Sequence, residues 1–110
     1  MSEFLLVFRR DYKTKEIQPS PEKLQEHLAH WQVFFSSIKD KVAKPIQRFD
    51  PLGKIVTGGT STADGPYAEV TQSIGGLVII NAADYNEAAA IAQTCPVLEL
   101  GGTVEIRQAV

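Results

Sequence analysis

Two runs in this chain are apolar on both alternating faces. Residues 3–9 hold Phe4-Leu5-Leu6-Val7-Phe8, and residues 76–81 hold Gly76-Leu77-Val78-Ile79-Ile80-Asn81. Both are short enough to be strands rather than helices. A strand apolar on both faces is covered on both faces. Thr103-Val104-Glu105-Ile106-Arg107-Gln108 instead alternates, with Val104 and Ile106 on one side and Glu105 and Arg107 on the other. That is a strand with one wet face.

Helical spacing appears twice. Ser20 is a suitable N-cap, Pro21 suits the first helical position, and Glu22 favours the positive end of the helix dipole. Leu24, Leu28, Trp31, Phe35 and Ile38 then recur as one apolar stripe, and the helix should end near Asp40. His27 falls at the margin of that stripe and His30 faces out more. A second helix starts at Asp84, where Glu87 offers a capping box, and stops before Pro96. Its run Ala88-Ala89-Ala90-Ile91-Ala92 is slim enough to lie close against a sheet.

Between the first helix and the second apolar run the pattern is weaker. Residues 45–49 and 54–57 read as short strands around the turn Asp50-Pro51-Leu52-Gly53, confined by their prolines to an edge or hairpin. The resulting order is strand, helix, strand with a hairpin extension, strand, helix, strand. This is the ferredoxin-like α+β plan, with both helices on one face of an antiparallel sheet. The doubly apolar strands become the central pair. Their helix-free face would expose Leu5, Val7, Val78, Ile80 or their alternates, so a homodimer through the sheet face is expected.

Composition narrows the function. One domain of 110 residues with 44% hydrophobic and 22% charged content can build a core. A net charge of −2 argues against a nucleic-acid partner. No apolar run approaches a membrane span, and Met1-Ser2-Glu3 lacks the marks of a signal peptide. Cys95 is the single cysteine, so no intramolecular disulfide is possible. A cytoplasmic protein is expected.

The candidate chemistry centres on Asp64-Gly65-Pro66-Tyr67-Ala68-Glu69. Asp64-Gly65 asks for a tight turn and Pro66 stiffens it, which would aim Asp64 and Glu69. His27 could act as general acid or base, with Asp64 orienting its ring. Arg9 and Glu69 would position a small polar substrate, Trp31 could wall the pocket, and Tyr67 could donate from beside Asp64. Each also has a plainer structural use: His27 as a boundary histidine, Arg9 as an ion-pair partner, Trp31 as core. Gly58-Gly59-Thr60 lacks the Lys and spacing of a phosphate loop. His27, His30, Asp64 and Glu69 form no compact metal signature, and no cofactor is expected.

The Asp64–Glu69 segment resembles the Asp-Gly-Pro-Phe motif of the DGPF family, within the YCII-related proteins; Tyr67 stands where that motif has Phe. The resemblance extends through Gly75-Gly76-Leu77-Val78-Ile79-Ile80, Glu87-Ala88 and Cys95-Pro96 to Gly101-Gly102-Thr103-Val104-Glu105-Ile106-Arg107. It also reaches back to Ser20-Pro21-Glu22, Trp31 and Pro51-Leu52. It implies a ferredoxin-like fold forming a dimeric α+β barrel, in small bacterial proteins often of unassigned function. It also implies a cleft with a His and an Asp, matched here by His27 (His30 as alternate) and Asp64. The functions it leaves open are three: a cofactor-independent acid–base enzyme acting on a small molecule, a non-catalytic dimeric ligand-binding or regulatory module linked to sigma factors, and a monooxygenase-like barrel.

Overall fold

The computed structural model of the chain describes residues 1–56, 58 and 72–110, and the backbone of 62–65. Strand β1 (Ser2–Asp11) leads into helix α1 (Pro21–Ile38). Then come β2 (Val42–Arg48), the paired strands β3 (Gly53–Val56) and β4 (Thr62–Gly65), and β5 (Gln72–Ala82). Helix α2 (Tyr85–Ala92), a 3₁₀ segment (Pro96–Leu100) and β6 (Thr103–Gln108) complete the described elements. The main sheet runs β2-β5-β1-β6, and every pair in it is antiparallel. With the β3–β4 hairpin set apart, that order is ferredoxin-like, and the two doubly apolar strands are the central ones. Among the described residues, no helix is long and apolar enough to cross a membrane.

The core lies between sheet and helices. Phe4, Leu6 and Phe8 alternate on β1 with Val78, Ile80 and Ala82 beside them on β5. Phe34 and Ile38 of α1, Ala88 of α2, and Cys95 and Val97 close over them. Both helix starts are capped as expected: Ser20 accepts from the Lys23 N–H and Asp84 from the Glu87 N–H. The Glu87 carboxylate itself faces Lys41, at 3.5 Å.

Two expectations are revised. Helix α1 is rotated relative to the apolar stripe. Leu24 and Leu28 are 39% and 49% exposed, whereas His27 and Phe34 are buried. The stripe counted apolar residues only, and a polar ring can be buried when its polar atoms are bonded. Secondly, Asp64-Gly65 is not a tight turn. Both residues lie in β4, with Asp64 opposite Lys54 and Gly65 opposite Gly53. Cross-strand pairing holds Gly65 extended, so the glycine's turn propensity is not used there.

On the helix-free face, Val7 is only 7% exposed and Leu5, Leu77 and Ile79 are half-buried. Arg9, Glu105 and Arg107 border this group on the β6 side. Lys44 and Gln47 border it on the β2 side.

Candidate active site

Two histidines from α1 converge on one carboxylate, and a third side chain of the same helix bonds one of them from behind. His27, His30 and Trp31 stand three and four residues apart, the spacing at which helix residues are neighbours. The carboxylate is Glu99, from the 3₁₀ segment that packs against α1. Its Oε2 lies 3.2 Å from His27 Nδ1. His30 Nδ1 spans both oxygens, at 2.8 Å from Oε1 and 3.0 Å from Oε2. On the far side of the His27 ring, the Trp31 indole N–H donates to Nε2 at 2.8 Å. The Trp31 ring is wedged edge-on against Phe8 and Phe34 and tilted against Phe35. His27 is 5% exposed, with both ring nitrogens engaged. His30 is exposed, and its Nε2 has no partner among the described residues.

Local sequence explains how Glu99 gets there. Pro96 starts the 3₁₀ segment, its ring pre-set for the first helical position. Gly101 ends it with φ +76°, a left-handed conformation that glycine adopts without a Cβ penalty. Gly102 then passes so close to the Arg9 carbonyl and Val97 that a Cβ would sit 2.5–2.7 Å from their atoms. The segment is thus pinned at both ends, with Glu99 held toward α1.

Electrostatics follow from these contacts. The Glu99 carboxyl is held below its usual range. The hydrogen bond from His30 lowers it most, partial desolvation works the other way, and the His27 bond lowers it further. Cys95, four residues earlier, has its thiol pushed up to about 12, chiefly by burial. The Val97 backbone hydrogen bond opposes that rise, and the charge of Glu99 adds to it. A thiol so placed is not a nucleophile at neutral pH.

Of the residues singled out in the sequence, the structure brings His27, His30 and Trp31 together. Arg9 is elsewhere. It follows Val7 on the helix-free face and pairs with Glu105 at 3.3 Å. The Asp64 side chain lies outside the described structure, as do Pro66, Tyr67 and Glu69. Glu99 was missed. The available signal was modest: it is the one acidic residue between Cys95-Pro96 and Gly101-Gly102. Among the described residues, no group of three His, Cys, Asp or Glu side chains is arranged to hold a metal ion.

Comparison with known proteins bears on this geometry in three ways. The family model of the YCII-related domain matches residues 5–110. No curated protein matches the chain in sequence. A solved structure of TftG from Burkholderia phenoliruptrix, a 5-chloro-2-hydroxyhydroquinone dehydrochlorinase in complex with 2,5-dihydroxybenzoquinone, is similar with a TM-score of 0.56. The two are 16% identical, over 97% of this chain and 93% of that one. At that identity the likeness is one of fold.

Proposed function

The chain belongs to the YCII-related domain family, and from that premise we propose that it is a small-molecule enzyme working by proton transfer without a cofactor. The observation that carries the reading is the Glu99 carboxylate, which accepts from both His27 and His30 while His30 Nε2 has no partner among the described residues. A carboxylate on one imidazole nitrogen fixes the ring and stabilises the charge it gains when the other nitrogen takes a proton. In the proposed reaction, His30 Nε2 removes a proton from the substrate. Glu99 balances the imidazolium charge, and the proton is returned to the departing or rearranging group.

We assign Asp64 to the substrate, as the motif resemblance implies, and Tyr67 and Glu69 with it from their neighbouring positions in the sequence. For substrate class we propose small hydroxylated rings, whose O–H or activated C–H bonds give up a proton readily. The name and bound ligand of TftG favour this class. We further propose that the protein works as a homodimer in a bacterial cytoplasm.

The test is turnover of chlorinated and unchlorinated hydroxyhydroquinones, followed by chloride release and by ring absorbance. We expect activity in the wild-type protein. His30→Gln should reduce kcat by about 10²–10⁴-fold, the usual contribution of a general base. Asp64→Asn should lower activity as well. Full turnover by His30→Gln would remove His30 from the mechanism. Ligand binding with no turnover in any variant would instead favour a non-catalytic binding module.

A further inference from the structure

The hydrogen bonds around Glu99 form a directed chain that begins in the core. We infer that the Trp31 indole N–H sets the tautomer of His27 and, through Glu99, the orientation of His30, making Trp31 and His27 positioning residues for the exposed imidazole. This inference rests on reading the cluster as a proton-transfer site.

The direction follows from which groups can donate. An indole N–H only donates and an ionised carboxylate only accepts. His27 Nε2 faces the indole nitrogen at 2.8 Å, so it presents its lone pair. The neutral ring then carries its proton on Nδ1, which faces Glu99 Oε2 at 3.2 Å. The opposite tautomer would set N–H against N–H at one end and a lone pair against a carboxylate at the other. Both contacts would turn repulsive in a site where His27 is 5% exposed and water is largely excluded. Two bonds therefore select one tautomer, and it is the one that free histidine disfavours.

What His27 fixes, His30 inherits. The Glu99 carboxylate is anchored from the buried side by His27 and offers both oxygens to His30 Nδ1. His30 is on the surface, where a ring not held in this way would rotate. With its Nδ1–H committed to Glu99, its Nε2 lone pair is turned outward. Trp31 cannot easily swing away, since Phe8, Phe34 and Phe35 pack around it with ring centroids 5.3, 5.8 and 5.4 Å distant. A rigid aromatic cluster thus orients a surface base through His27 and Glu99.

The chain has two histidines and a single tryptophan, so ¹⁵N spectra of their rings are readily assigned. In the neutral state, both imidazoles are expected to carry the proton on Nδ1. A scalar coupling is expected across the bond from Trp31 Nε1 to His27 Nε2. Trp31→Phe keeps an aromatic ring in the cluster and removes only the donor. It should turn the His27 signal into a mixture of tautomers, broaden or shift that of His30, and lower kcat about tenfold with KM little changed. Wild-type His27 protonated on Nε2, or no coupling to Trp31, would overturn the inference without any variant. So would Trp31→Phe spectra identical to wild type, or shifted tautomers with kcat intact. The spectra need no substrate, so they stand or fall separately from the turnover assay of His30→Gln.

Discussion

Glu99 links protonation to folding. Its carboxyl is held below the usual value by its two histidine bonds, that of His30 foremost. In the unfolded chain it titrates near 4.5, the ordinary value. Between the lower folded value and the unfolded one, the unfolded state binds more protons, so stability rises with pH across that window. The contribution is complete above the unfolded value and is lost as pH falls through the folded one. Urea midpoints measured from about pH 6 down to about pH 3 should therefore fall less steeply in Glu99→Gln than in wild type. Glu105 is depressed too, mainly by Arg107 and then by Arg9, but it is unchanged in the variant. The difference between the two curves thus reports Glu99 together with its two histidine bonds; parallel curves would deny it this role. His27 was recognisable in the sequence as a candidate. Its burial was not, because a histidine's tolerance for the core depends on partners that the local sequence does not name.

The 3₁₀ segment and the two glycines behind it hold the carboxylate in place. At Gly102, a Cβ would sit 2.5 Å from the Arg9 carbonyl and 2.6 Å from Val97 Cγ2. Either the end of β1 or the segment carrying Glu99 must move to admit it. Gly102→Ala should cost about 1–3 kcal/mol, the usual penalty for overpacking a filled site. Gly53→Ala is the control, since its Cβ would meet nothing within 4 Å among the described residues. A denaturant midpoint for Gly102→Ala equal to that of Gly53→Ala would show the contact to be soft. The pair Gly101-Gly102 was legible as a turn. That one glycine serves a left-handed φ and the other a close approach was not, because the second constraint comes from β1, more than ninety residues earlier in the sequence. The rotation of α1 is likewise set from far along the chain: Phe34 packs on Phe8 of β1 and His27 bonds Glu99 of the 3₁₀ segment, while Leu24 and Leu28 stay exposed.

The assembled domain has one sheet face under helices and one without them. On the open face, Leu5, Val7, Leu77 and Ile79 form an apolar centre flanked by Arg9, Glu105 and Arg107. Mixed charges beside an apolar patch suit a self-complementary two-fold contact, in which each copy sets its basic groups against its partner's acid. The expected result in sedimentation at micromolar concentration is a dimer. Leu77→Lys, placing a charge in the apolar centre, should shift the species to monomer while helix content is retained. A wild-type chain that sediments as a monomer would remove the sheet-face dimer from the proposal.

The sequence by itself determined the order of the helices and the main-sheet strands, the helix caps, the two central strands and hence the ferredoxin-like sheet. These depend on period, local capping chemistry and amphipathicity, all written within a few residues of where they act. Only the tertiary structure decided that the carboxylate on His27 and His30 is Glu99, some seventy residues away along the chain. It alone decided that Trp31 satisfies the other side of His27, and that Arg9 lies on the opposite face with Glu105. Long-range pairing of polar groups follows from how the 3₁₀ segment docks on α1, and no local pattern encodes the partner of a buried ring nitrogen.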